Sequence, residues 1–221
     1  MKWGKKVLMV VTNHTEISEG KTTGIWLSEF AEAYIEFTSK GFGVTVASPL
    51  GGKGPVDPGS VDESTPQQIL EAKKYLENTM KLDEVSSEGF DAIFLPGGHG
   101  TMFDLPQSQK LQELLRDFYE ADKIVAAVCH GPAGLIGATL SNGQPLVTGK
   151  RVNAFTDSEE AETTLDQYMP FLLESKLREL GAIFVAAPNW NTHYEEGGNL
   201  ITGQNPQSTA AVTKAVIEKL A

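Results

Sequence analysis

The sequence predicts an α/β fold: a doubly wound, mostly parallel sheet with helices on both faces. Three observations predict it. Short apolar runs such as VLMVV at 7–11 and IVAAV at 124–128 have the length of strands buried on both sides. Longer segments between them carry apolar residues near helical spacing. The two kinds of segment alternate along the whole chain, which is how crossover connections build a parallel sheet.

Taken in order, 6–13 reads as a first buried strand closed by a polar turn. A helix over 24–40 follows, with Ile25, Phe30, Ala33, Tyr34 and Phe37 on one side and Gly41 as its terminating glycine. Strand 42–48 leads into the turn-rich PLGGKGPVDPGS. Thr65-Pro66 is expected to open a helix running to 81. Strand 91–96, helix 106–121 and strand 124–128 come next, then a short helix at 132–138. NGQPLVTGKRVNAF reads as a turn with a strand or hairpin. The remaining elements are a helix over 170–180, strands over 182–187 and 199–202, and a last helix opened by Asn205-Pro206 and running to 219. No repeat, linker or low-complexity tract divides the chain, so residues 1–221 read as one domain.

The 221 residues carry a formal net charge of −11. That excess of acid opposes binding to nucleic acid or an anionic membrane, both of which need clustered Lys and Arg. The single cysteine excludes an internal disulfide and fits a reducing compartment. The apolar run at 7–11 is too short for a signal segment or a membrane span, so a cytoplasmic protein is expected.

Candidate chemistry gathers at strand ends, where sheets of this kind place their sites. Cys129 ends the 124–128 strand, His130 follows, and Gly131-Pro132 opens a helix. A lone cysteine is often only buried packing. Strand, nucleophile, small residue, helix is however the layout of a nucleophile elbow, with Ala127 and Gly131 at minus two and plus two. The following helix N-terminus should favour a thiolate. His130 acts either through its ring, which then needs an orienting carboxylate, or only through its backbone N–H. PGGHG at 96–100 is either a tight turn or the other half of an oxyanion hole. Gly97, Gly98 and His99 form the expected oxyanion and substrate-binding segment. Histidines 14, 99 and 193 show no zinc or iron spacing, so no metal is expected. DSEEAE at 157–162 reads as a solvated face that could also supply the carboxylate. Glu29 sits in the 24–40 helix, either at the surface or buried with a raised pKa and able to shuttle protons.

AAVCHGPAGL and FLPGGHGTMFDLP, with KTTGIWLSE early and LITGQNPQS late, closely resemble the ThiJ/PfpI superfamily over nearly the whole chain. The resemblance implies a flavodoxin-like sandwich of the class I glutamine amidotransferase type. Within the superfamily it points to the heat-shock chaperone and glyoxalase III branch. It places the nucleophile on Cys129 and the histidine on His130. The triad acid falls on Glu160 in FTDSEE, with Asp157 or Glu159 as alternatives. Glu29 is implied as the carboxyl that contacts the thiol, and the N–H groups of Gly98 and His130 as oxyanion donors. The implied activity is that of a glyoxalase III, or D-lactate dehydratase, taking methylglyoxal to lactate without metal, glutathione or other cofactor. A homodimer, and a stress chaperone or deglycase activity toward unfolded or glycated proteins, are implied with it. Two rivals stand beside this reading. One is a cysteine amidase, glutaminase or peptidase, for which His193-Tyr194-Glu195 supplies a His-x-Glu pair. The other is a redox-sensing holdase without turnover.

Overall fold

The computed structural model describes residues 4–221. In chain order its elements begin with β1 (Lys6–Val10), β2 (Glu16–Ser18), β3 (Lys21–Thr22), α1 (Leu27–Ser39), β4 (Gly43–Ser48) and α2 (Gln67–Glu71). Next come β5 (Met80–Lys81), β6 (Ala92–Leu95), α3 (Thr101–Asp104), α4 (Gln109–Glu120), β7 (Ile124–Val128) and β8 (Arg151–Val152). The chain closes with α5 (Asp157–Thr163), α6 (Leu173–Glu179), β9 (Ile183–Phe184), β10 (Tyr194–Gly197), β11 (Leu200–Gly203) and α7 (Thr209–Leu220).

Seven strands form one sheet in the order β10-β11-β7-β6-β1-β4-β5. Every pairing is parallel except β10 with β11. The chain winds outward from β1 through β4 to β5, then restarts beside β1 at β6 and winds the other way. The direction therefore reverses between β1 and β6, and a crevice opens beyond the C-terminal ends of the central strands. Strand pleating sorts the core into two layers. Leu8, Ile93, Leu95, Val125 and Ala127 pack with Leu111, Leu114, Leu115 and Phe118 of α4 on one face. Val7, Met9, Phe94, Ala126 and Val128 pack with Phe30 and Phe37 of α1 and Val212 and Val216 of α7 on the other. Both faces are covered, as the apolar runs required.

Several elements differ from the sequence reading. The helix expected over 65–81 is only α2 and a 3₁₀ turn over Ala72–Leu76. Thr79 exchanges backbone hydrogen bonds with Gly52 at 2.7 and 3.0 Å, which pulls the chain out of the helix and into edge strand β5. The helix expected at 132–138 is a 3₁₀ turn, Gly131–Leu135. NGQPLVTGKRVNAF contributes only β8, which pairs with β9 outside the main sheet. DSEEAE is not a solvated face. It forms α5, capped by the Thr156 hydroxyl and the Glu159 carboxylate in a reciprocal box, with Glu159 and Glu160 buried. The β2–β3 hairpin and β10 lie where no strand was expected. Gly198-Asn199 joins β10 to β11, a two-residue turn whose sequence is itself a hairpin signal.

Candidate active site

Three loops at the C-terminal end of the sheet build the site. Cys129 leaves β7 with φ of 60°. An ordinary side chain enters that left-handed region only at a cost, and the surrounding structure must hold it there. Here the Cys129 N–H donates to the Gly203 carbonyl and its own carbonyl accepts from Phe155, both at 2.9 Å. A Cβ on Gly131 would stand 2.1 Å from the Leu95 carbonyl oxygen, so only glycine lets the chain turn there. The geometry is the sharp strand-to-turn reversal expected of a nucleophile elbow.

The loop after β6 packs against this turn. A Cβ on Gly97 would lie 2.7 Å from the His130 nitrogen, and one on Gly98 only 2.0 Å from the Gly24 carbonyl oxygen. Gly98 also has φ of 108°. Gly98→Ala is expected to destabilise the protein by about 3 kcal/mol or more, through backbone clash and strain together. Thermal or denaturant melts of the variant test this, and a change within error of wild type would contradict it. The Thr101 hydroxyl lies 2.8 Å from both the Gly98 and the His130 carbonyls, tying the two loops together.

Cys129, His130 and Glu160 form a line. The thiol lies 3.4 Å from Nδ1 of His130, and Nε2 of that ring lies 2.5 Å from Oε2 of Glu160. Oε1 of Glu160 lies 2.6 Å from Nε2 of His99 and also accepts from the Thr163 hydroxyl at 3.0 Å. One carboxylate thus bridges two imidazoles whose ring centroids are 4.1 Å apart. Burial alone would push Glu160 up, but His130 and His99 hold it well below the usual carboxylate range, so it is ionised. Burial, reinforced by His99, pushes His130 down, so its ring is neutral at neutral pH. With an ionised partner at Nε2, the proton sits on Nε2, and Nδ1 offers its lone pair to the thiol.

The other two acids weighed from the sequence are engaged elsewhere. Asp157 accepts from the Ser175 hydroxyl at the surface. Glu159 accepts from Thr156, the Trp190 amide and Asn205. His193 and Glu195 pair with each other at 2.9 Å, and Glu195 also binds Arg151. Neither lines the pocket that holds Cys129.

Glu29 lies in the first turn of α1 and is fully buried. No conventional hydrogen bond reaches either carboxyl oxygen among the described residues. The Cys129 thiol and the Gly97 amide are the polar groups facing it, and burial raises its pKa well above the ordinary value. Burial therefore favours its protonated form, which can donate toward sulfur. The Cys129 thiol is itself pushed up, by burial first and then by Glu29 and the other acids nearby. This corrects the expectation of a lowered thiol pKa: the helix meant to favour a thiolate is a single 3₁₀ turn, too short to outweigh burial.

The pocket above the thiol has a volume of about 370 Å³. Gly98, His99, Cys129 and His130 form its floor; Trp26, Phe155, Leu165 and Trp190 wall it, and Ile17 and Lys21 of the β2–β3 hairpin reach its rim. The hairpin, Phe155 and Trp190 escaped the sequence reading. The one signal for Trp190 was an isolated large aromatic in a polar loop, NWN. Ligand atoms of His99, His130 and Glu160 lie within 4.8 Å of one another, the one group among the described residues that could hold a metal ion. Local spacing could not show it, because its members come from three separate segments. As arranged, the carboxylate oxygens and both Nε2 atoms are hydrogen-bonded to one another.

A parallel α/β sandwich that lifts one strained thiol from a strand end, with imidazole and carboxylate behind it, defines a thiol-elbow class of protein. The chain belongs to the DJ-1/PfpI family, whose model matches residues 5–219. It is 29% identical to the glutathione-independent glyoxalase HSP31 of Saccharomyces cerevisiae, over 98% of each chain. The Rapid Encystment Protein 24 KDa of Francisella tularensis superposes with a TM-score of 0.94 at 34% identity, covering 98% of this chain and 99% of that one. Glyoxalase III of Candida albicans superposes with a TM-score of 0.85 at 27% identity, covering 97% and 96%.

Proposed function

We propose that the protein is a glutathione-independent glyoxalase that converts methylglyoxal and water to lactate, with Cys129 as nucleophile. The observation that carries this reading is the Cys129–His130–Glu160 line with the buried Glu29 carboxyl facing the thiol. The names of the related proteins agree with it.

In this mechanism the Cys129 sulfur bonds to the aldehyde carbon while its proton passes to Nδ1 of His130. The imidazolium so formed is stabilised by ionised Glu160. The aldehyde oxygen takes up negative charge beside the N–H groups of Gly98 and His130, and is then protonated to give a hemithioacetal. Whichever of Glu29 and His130 gave up that proton next takes the hydrogen of the same carbon as a proton and delivers it to the neighbouring carbonyl carbon, while the hydroxyl proton passes to the carbonyl oxygen. The product is a thioester of lactate on Cys129. Water attacks it, lactate leaves, and the thiol regains its proton. A neutral resting thiol suits this scheme, because the proton leaves only as the new bond forms. His99 acts as a positioning residue, holding the second oxygen of Glu160. In this reading the enzyme works as a cytoplasmic homodimer, as the family resemblance implies.

The test is lactate formation from methylglyoxal by metal-stripped protein without glutathione. No lactate from folded wild type would sink the reading for this substrate. Glu29→Gln should abolish most turnover yet raise stability at neutral pH. The sign follows from the raised pKa. Below the ordinary carboxylate range both folded and unfolded states hold the proton, and burial of Glu29 costs nothing extra. As pH rises, the unfolded state ionises while the folded state does not, so wild type loses stability until the folded-state pKa is reached. Glutamine removes that loss. The variant should match wild type near pH 4 and melt higher at pH 8, by about 2–4 °C for each kcal/mol recovered. A lower melting temperature at pH 8 would contradict the assignment.

A further inference from the structure

Methylglyoxal has only a handful of non-hydrogen atoms. The pocket, at about 370 Å³, lies instead in the range of roughly 300–1,000 Å³ that holds much larger ligands. Above the polar floor its walls are largely apolar, with Trp26, Phe155, Leu165 and Trp190 among them. The aromatic members are arranged in sequence outward from the catalytic ring. The His130 ring lies 4.3 Å from Phe155, and Phe155 meets Trp190 edge to face at 5.5 Å.

Trp190 is the unusual member. It is 37% exposed, yet its backbone is held at φ of 65°. A bulky residue in that region is a conformational outlier, kept only where neighbours over-determine it. Two carboxylates do so here. Its amide donates to Glu159 at 2.9 Å, and its indole N–H donates to Glu162 at 2.5 Å. Both acids belong to α5, which also carries Glu160. The helix that supplies the carboxylate behind His130 therefore also fixes an exposed indole at the pocket mouth. An exposed aromatic held rigidly over a catalytic floor loses little entropy when a flat apolar group settles against it.

We propose that this aromatic wall is a subsite for the ring of aryl-substituted 2-oxoaldehydes, and that these are better substrates than methylglyoxal. The proposal rests on the glyoxalase reading and deepens it. The chemistry is unchanged. Sulfur adds to the aldehyde carbon, the hydrogen moves to the aryl-bearing carbon, and water releases a 2-aryl-2-hydroxy acid.

The experiment compares kcat/KM for phenylglyoxal, followed as mandelate, with that for methylglyoxal, followed as lactate. Wild type should favour phenylglyoxal by about tenfold or more. Trp190→Ala should bring the ratio close to parity, whereas Trp190→Phe should keep most of it. Leu165→Trp, which fills the pocket without touching the Glu159 and Glu162 contacts, should also lower the ratio and decides the matter if Trp190→Ala does not fold. A wild-type ratio at or below parity, or one that neither Trp190→Ala nor Leu165→Trp changes, overturns the proposal. Turnover of neither aldehyde by folded wild type is a different result and sinks the glyoxalase reading itself.

Discussion

Cys129→Ser should abolish lactate formation from methylglyoxal, by about a thousandfold or more, while the protein stays folded. Serine keeps the Cβ and so keeps the strained backbone at 129, and it exchanges sulfur for a smaller oxygen in a buried position. The stability change should stay within about 1 kcal/mol, because no carbon is lost from the core. The chemistry is what fails. A neutral hydroxyl gives up its proton far less readily than a thiol, and the neutral imidazole at 3.4 Å is a weak base for it. Wild-type and variant protein should be melted and assayed side by side. Lactate formation by the variant above about a tenth of the wild-type rate would remove Cys129 from the chemistry.

Glu160→Gln should lower kcat by about a hundredfold or more, the usual scale for a group that supports acid–base catalysis. Glutamine has the shape of the native side chain but no charge. It can still accept from one imidazole through its oxygen, but its amide nitrogen then faces the other as a donor. His99 or His130 must change tautomer, and the imidazolium formed during thiol addition loses its counter-charge. Stability should fall as well, by about 1–3 kcal/mol at neutral pH. The pH dependence separates this from general damage. Glu160 has a depressed pKa in the folded state, so its contribution is present above the ordinary carboxylate range and lost as pH falls toward the folded value. The gap in stability between wild type and variant should therefore narrow below about pH 4. A gap that stays constant from pH 8 to pH 3 would show that the bridged carboxylate is not its source.

What could be read from the sequence was what is local. The IVAAV run, the cysteine at its end and the small residues on either side specify a strand and its sharp exit within a few positions. The alternation of runs and helical stripes likewise specified a parallel sheet, because each element declares its own burial. The pairing of Glu160 with two histidines was legible only in part. It joins positions 61 and 30 residues apart, and nothing in DSEEAE marks the fourth residue as the inward one. A helix buries only one side of an acidic run, and that side is chosen by what the helix docks against. The same holds for 65–81, where the helical stripe is genuine but a tertiary partner, Gly52, captures the chain first. Trp190 belongs to neither element type. Its importance comes from being pinned, and pinning is a property of neighbours rather than of spacing.

The glycine contacts around the thiol also bear on how such a protein could diverge. At positions 97, 98, 100 and 131 even a methyl group would stand 2.0 to 2.8 Å from a backbone or side-chain atom of another segment. Those positions tolerate almost no mutation, and the floor they shape is inherited whole or lost. The mouth is different: Ile17, Lys21 and Leu165 sit on a hairpin and in a loop whose side chains reach solvent. Drift is cheap there, and it changes what can enter without disturbing what happens to it. A lineage built on this architecture can therefore explore new substrates one rim residue at a time while its chemistry stays fixed.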